Sequence, residues 1–102
     1  MKIYFEVISR LDKHIRTTES HWNLIVRYKH PEVEGMEKEV QETLIFPESV
    51  RISQEDDRVF LYYRQFGKLF VCVVCKHFES DGFIITCYLT NKVKEGKQVW
   101  PR

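Results

Sequence analysis

One of the four histidines in this sequence lies at the end of a predicted helix, where it could take part in acid–base chemistry. His30 stands in the run Lys29-His30-Pro31-Glu32, where proline stops the helical pattern. An imidazole can serve as a general acid or base near neutral pH. A histidine at a helix end more commonly caps the helix, so His30 has two interpretations.

Four polar side chains in predicted strands form a second candidate group: Arg64, Lys76, Thr86 and Tyr88. Successive strand residues point to opposite faces of a sheet, and this alternation places all four on the same face. If the hairpins pair in simple register, two cations and two hydroxyls converge on one surface, which suits a phosphate or another anion. The alternative is a solvated sheet face, which carries such residues in any protein.

The same alternation predicts the contents of both faces of the sheet. We expect the two helices to cover a nearly apolar face. Its residues are Val59, Leu61, Tyr63, Leu69, Val71, Val73, Cys75, Phe83, Ile85, Cys87 and Leu89. The opposite face carries Phe60, Tyr62, Arg64, Phe70, Cys72, Val74, Lys76, Ile84, Thr86, Tyr88 and Thr90.

The cysteines do not indicate a metal site. Cys72 and Cys75 have the spacing of a metal knuckle, but residues three apart in a strand lie on opposite faces. Cys75 and Cys87 fall on the predicted buried face and are expected to be small core residues. Since the sequence also lacks a glycine-rich phosphate loop and a nucleophile elbow, it predicts neither a metal nor a cofactor.

Composition predicts one folded domain over residues 1–102, since 43% of the residues are hydrophobic and 14% aromatic. No apolar run is long enough for a membrane span, and no export signal is evident. Three cysteines, an odd number, then suit a reducing compartment, so we expect a cytoplasmic protein.

Charge is nearly balanced overall but uneven along the chain. The net charge is +1, with a net −7 over residues 32–57 and +5 over residues 58–102. The charge run from Glu32 to Glu42 is the solvated face of the second helix or a docking surface for a basic partner. A polyanion on the second half is permitted, although strongly basic binders usually show a clearer excess.

Periodicity predicts the elements that position these residues. An N-terminal hairpin, from Lys2–Arg10 and His14–Thr17, precedes two helices. The first has Thr17, Thr18 and Ser20 as candidate N-caps and ends before Pro31, and the second spans about Val33–Phe46. Four strands follow, near Ser49–Ser53, Arg58–Gln65, Lys68–Phe78 and Phe83–Asn91. The predicted fold class is therefore α+β, with the order ββααββββ and two helices on one face of a four-stranded antiparallel sheet.

This order of elements, with His30-Pro31-Glu32 and the segments 61–64, 73–76 and 84–90, resembles a known superfamily. It comprises the small phage and mobile-element proteins of the barnase, EndoU, colicin and RelE-like nucleases, and the likeness covers about residues 17–100. The resemblance implies a RelE- or barnase-like fold whose sheet face binds RNA. It also implies metal-independent cleavage by attack of the ribose 2′-hydroxyl on the neighbouring phosphate.

The roles that the resemblance implies are a base or acid at His30, phosphate clamps at Arg64 and Lys76, and hydrogen-bond donors at Thr86 and Tyr88. Arg51 and Tyr62 are further substrate-binding candidates. The expected partners are RNA and an antitoxin or immunity protein, as for the toxin of a toxin–antitoxin pair. The alternative is a non-catalytic module on the same fold that binds RNA or a protein through Tyr62, Arg64 and Tyr88.

Overall fold

The computed structural model describes residues 2–93 and 96–102. Within these residues a seven-stranded sheet has the strand order β1-β2-β6-β5-β4-β3-β7. Neighbouring strands are antiparallel except for β2 and β6, which are parallel. The strands are β1 (Ile3–Ile8), β2 (His14–Thr18), β3 (Ser49–Ile52), β4 (Val59–Phe66), β5 (Leu69–His77), β6 (Asp81–Thr90) and β7 (Lys97–Trp100).

The helical segment connects β2 to β3. It consists of α1 (Glu19–Leu24), a π-helical turn (Ile25–Lys29), a 3₁₀ turn (Pro31–Val33) and α2 (Glu37–Ile45). Thr18 caps α1, because its hydroxyl accepts a hydrogen bond of 3.1 Å from the backbone N–H of His21. The predicted second helix starts later than Val33, because Gly35 at φ 78° takes the left-handed conformation that interrupts a helix.

The main core lies between this helical segment and one face of the sheet. Trp22, Ile25 and Val33 are buried from the first part of the segment, and Val40 and Leu44 from α2. The sheet contributes further buried side chains to the same cluster: Ile15, Val50, Tyr62, Val71, Val73, Cys75, Ile84 and Cys87. The burial of Cys75 and Cys87 as core residues confirms that part of the prediction.

The predicted fold class is wrong, because the sheet is neither four-stranded nor antiparallel throughout. The N-terminal hairpin joins the sheet through the parallel pairing of Ile15 with Gly82, and β7 adds a strand beside β3. A Cβ atom at Gly82 would lie 2.6 Å from the Lys76 carbonyl oxygen and 2.8 Å from Ile15 Cδ1. The glycine therefore permits the hairpin to dock, which alternation within the hairpin itself does not reveal.

The register assumed for the hairpin of β4 and β5 is also wrong. Phe66 pairs with Leu69 across the two-residue loop of Gly67 and Lys68. Even-numbered residues of β4 consequently share a face with odd-numbered residues of β5, so Leu61 and Tyr63 leave the helix-covered face. Tyr62 and Arg64 move onto it, while a bulge in the pairing of β5 with β6 places Ile84 there as well.

Candidate functional site on the distal face

The face of the sheet turned away from the helices, here called the distal face, carries most of the predicted site. Pairing places on it Arg51 of β3, Lys76 of β5, and Thr86 and Tyr88 of β6. This face is not simply solvated, since it has a small buried cluster of its own. Leu61, Tyr63 and Cys72 form the centre of the cluster, and Phe70, Val74, Tyr88 and Val93 pack against it.

The imidazole of His30 reaches the distal face at the edge of β6. β2 pairs with β6 only as far as Phe83, and the 3₁₀ turn lies beside the remainder of β6. The centroid of the His30 ring is 5.2 Å from that of the Tyr88 ring. The resemblance-based prediction grouped these two residues, and the structure places their rings in contact.

Glu32 lies beside the His30 ring. Its Oε2 lies 3.3 Å from His30 Nδ1. A carboxylate there favours the tautomer with its hydrogen on Nδ1, so that Nε2 keeps the lone pair. An imidazole held in this way is suited to accept a proton through Nε2. Sequence reasoning did not assign Glu32 to the site, although its position two residues after His30 was a usable signal.

A cavity of about 300 Å³ opens beside Tyr88 on the distal face. Thr86 lines this cavity, and its hydroxyl is buried and has no hydrogen-bond partner among the described residues. An unpaired buried hydroxyl is costly, and a ligand that accepts or donates a hydrogen bond would remove that cost. The cavity is lined by Ser53, Gln54, Glu55, Val59, Leu61, Val74, Thr86 and Tyr88.

Tyr88 is the second ionisable group of the site. Burial raises the pKa of its phenol well above the usual range, and the neighbouring Cys72, which hydrogen-bonds to it, acts in the same direction. The phenol is therefore protonated at neutral pH and can donate a proton or a hydrogen bond.

Lys76 brings a cation to the distal face, but the charge is shared. Its Nζ lies 3.4 Å from Asp56 Oδ2. The pKa of Asp56 is lowered, chiefly by the hydrogen bond from the backbone N–H of Arg58 and secondarily by Lys76. A phosphate bound here must compete with Asp56 for the ammonium group. Because both side chains are partly exposed, they can separate without disturbing the core and leave the ammonium group to a phosphate.

Arg51 lies on the distal face but has a structural contact. Its Nη1 donates a hydrogen bond of 2.8 Å to the carbonyl oxygen of Gly96, next to β7. Its Nε is buried and has no partner among the residues that the structure describes. The role of Arg51 in phosphate binding stays a prediction.

Arg64 is not on the distal face, and the prediction that it converges with Lys76 is wrong. It pairs with Val71, on the face that α2 covers. Its Nη1 donates a hydrogen bond of 2.6 Å to the carbonyl oxygen of Phe46, at the end of α2. A cation at this place satisfies a carbonyl that the helix leaves unpaired and interacts favourably with the helix dipole.

Tyr62 is likewise on the helix-covered face, where none of its side chain is exposed. Its hydroxyl donates a hydrogen bond of 2.8 Å to Ser9 Oγ and lies 3.0 Å from His77 Nε2. Contact with a substrate would require the core to open. The expectation that Tyr62 shares a surface with Tyr88 is therefore wrong, and its contacts are those of a core residue.

The described residues contain no cluster of three or more His, Cys, Asp or Glu side chains that could hold a metal ion. Cys72 lies in the distal cluster and Cys75 in the main core, which confirms that the two cysteines point to opposite faces. No helix in the described part of the chain is long and apolar enough to cross a membrane.

No family model, no curated protein and no solved structure matches this chain. The resemblance to the barnase, EndoU, colicin and RelE-like nucleases thus stays a prediction.

Proposed function

We propose that this protein is a metal-independent endoribonuclease whose site is the part of the distal face around His30, Thr86 and Tyr88. The observation that carries the proposal is the contact of the His30 ring, which lies beside Glu32, with the Tyr88 ring at the edge of a cavity that Thr86 lines. An imidazole and a neutral phenol whose rings lie side by side can act as the base and the acid on either side of one phosphate.

In the proposed reaction, His30 Nε2 takes the proton of a ribose 2′-hydroxyl. The 2′-oxygen forms a bond to the adjacent phosphorus, and the bond from phosphorus to the 5′-oxygen of the next nucleotide breaks. Tyr88 gives its proton to that leaving oxygen and regains one as His30 releases its own through solvent. The products are a 2′,3′-cyclic phosphate and a 5′-hydroxyl end, and Thr86 stabilises charge on the reacting phosphate. Lys76 pairs with Phe83, farther along the distal face, so its ammonium group contacts a neighbouring phosphate of the same strand.

The test is incubation of the purified protein with mixed cellular RNA in EDTA, with cyclic phosphate ends as the readout. We expect His30→Ala and Tyr88→Phe each to lower the cleavage rate by about a hundredfold or more, the usual contribution of a general acid or base. His14→Ala is the matched control, because His14 is an exposed histidine on β2. Arg64→Ala is the second control, because Arg64 lies on the other face.

The outcomes separate the proposal from its alternatives. Full cleavage by His30→Ala and Tyr88→Phe would exclude this site, and loss of cleavage in folded Arg64→Ala would move the phosphate to the helix-covered face. Intact RNA with folded wild-type protein would exclude a ribonuclease. One other function is binding of RNA without turnover. It is favoured because Lys76 is already paired with Asp56 and the Tyr88 phenol is already hydrogen-bonded to Cys72, so neither group is free for catalysis. Such binding would weaken as salt rises.

The proposal extends to location and partner. A ribonuclease acting on cellular RNA would work in the cytoplasm, where the three buried cysteines stay reduced. A toxin-like ribonuclease also needs an inhibitor, and an antitoxin or immunity protein that covers the distal face would supply it. Wild-type expression should then arrest growth, whereas His30→Ala should not.

A further inference from the structure

A second concave surface lies where β2 and β6 part, and we call it the fork groove. β2 and β6 pair only from His14 opposite Asp81 to Arg16 opposite Phe83. Beyond that point β2 turns into α1 and leaves a space of about 480 Å³ beside β6. The fork groove is lined by Arg16, Thr17, Thr18, Ser20, His21, Leu24, Phe83 and Ile84.

The fork groove exposes large apolar side chains. Leu24 is 42% and Phe83 39% exposed. The ring of Phe83 lies 5.9 Å, centroid to centroid, from that of Phe78, which is also exposed. Exposed aromatic rings in a concave site are suited to stacking against a planar ligand.

Polar groups around these apolar side chains are suited to hydrogen bonding. His21 Nε2 lies 2.9 Å from the backbone carbonyl oxygen of Ile85. A carbonyl oxygen only accepts, so Nε2 carries the hydrogen and Nδ1 keeps a lone pair. The hydroxyl of Ser20, within 3.3 Å of Thr18 Oγ1, adds a donor or acceptor. These groups match the edge of a nucleobase, which presents donors and acceptors in one plane.

The fork groove and the cavity of the proposed ribonuclease site are both lined by residues of β6. Phe83 and Tyr88 both face the distal side, five residues apart. At about 3.3 Å per residue their separation is roughly 16 Å, which an extended single strand of RNA can follow. We propose that the fork groove is a base-binding subsite for single-stranded RNA, in which Phe83 stacks on an unpaired base next to the cleaved segment. This inference rests on the proposed function.

The experiment measures the equilibrium affinity of a fluorescently labelled single-stranded oligoribonucleotide with 2′-O-methyl riboses. This probe cannot be cleaved, because it has no 2′-hydroxyl to attack. We expect Phe83→Ala and Phe83→Leu to weaken binding by about tenfold, the usual loss of one stacked base, and Phe83→Tyr to retain it. Phe66→Ala is the matched control, since Phe66 is 46% exposed and lies at the turn between β4 and β5, outside the fork groove.

A second readout distinguishes a subsite from a structural role. With cleavable RNA, Phe83→Ala should raise KM and leave kcat and the melting temperature nearly unchanged. If wild-type protein cleaves RNA and Phe83→Ala keeps the same affinity and KM, the fork groove is not a subsite while the proposed function stands. If Phe83-dependent binding occurs without any cleavage, the base-binding groove stands and the proposed function fails. Equal affinity for a fully paired duplex would overturn the groove, because a paired base cannot enter it.

Discussion

Burial of one side chain, His77, should make the stability of this protein fall as the pH is lowered. Only 4% of His77 is exposed, and its ring stacks on Phe60 with centroids 4.0 Å apart. Since the Tyr62 hydroxyl donates to Ser9, it accepts from His77 Nε2, and the Nδ1 atom is buried without a partner in the described residues. Protonation at Nδ1 would bury both a charge and an unpaired N–H.

The magnitude follows from the pKa of His77, which burial, and secondarily Lys13, lowers from 6.5 to about 4. Between these values the unfolded chain binds a proton that the folded protein does not. The free energy of unfolding therefore falls with decreasing pH at about 1.4 kcal/mol per unit. Lowering the pH from about 7 to about 4 should remove about 3 kcal/mol, and below that range His77 adds no further loss.

The assay is urea denaturation of wild type and His77→Gln across this pH range. Glutamine retains a group that can hydrogen-bond to Tyr62 but does not titrate. Carboxylates titrate equally in both proteins, so the difference between the two pH profiles isolates His77. We expect wild type to lose about 3 kcal/mol more than His77→Gln, even if the variant is less stable at neutral pH.

Parallel pH profiles for the two proteins would refute this reasoning. That result would mean that the folded protein accepts the proton, so that Nδ1 has a partner or His77 is hydrated. A ¹H–¹⁵N spectrum of the imidazole, which reports which ring nitrogens carry hydrogen, would show that protonation directly.

Two further predictions concern residues that support the sheet. Arg64→Met should lower the free energy of unfolding by about 1 kcal/mol, because the hydrogen bond to the Phe46 carbonyl is lost. RNA cleavage should be unchanged. A free energy of unfolding equal to that of wild type would show that Arg64 does not cap α2. Gly82→Ala should cost about 2 kcal/mol, because its Cβ would press on the Lys76 carbonyl and on Ile15; Ser80→Ala, at an exposed neighbour, is the control, and equal midpoints in urea would contradict the argument.

Local patterns predict the elements of this protein well. The strands predicted near Ser49–Ser53 and Arg58–Gln65 are observed as Ser49–Ile52 and Val59–Phe66. Alternation and turn residues suffice for this, because both act over a few neighbouring positions. The strand Lys97–Trp100 was missed, and it is held at the sheet edge by pairing with β3 rather than by a pattern of its own.

The faces of β4 and of the first residues of β6 could not be predicted, because they depend on a loop length and a bulge that the strand pattern does not contain. The two-residue loop at Gly67 and Lys68 pairs Arg64 with Val71, and counting one residue more in the loop would reverse the result. The bulge beside Val74 has the same effect on Ile84. Neither the loop nor the bulge changes the face of Lys76, Thr86 or Tyr88, so these three residues share the distal face. His30 reaches the same face from the helical segment.

One topological feature accounts for both the His30 contact and the fork groove. Because β2 pairs with β6 over only three residues, the edge of β6 beyond Phe83 is left to the helical segment. His21 bonds to that edge at Ile85, and the 3₁₀ turn brings His30 to Tyr88. A β2 that continued along β6 would occupy the fork groove and separate His30 from Tyr88. Extending the β2–β6 pairing should therefore abolish RNA cleavage and base binding together, whereas Phe83→Ala should weaken base binding and raise KM while kcat stays nearly unchanged.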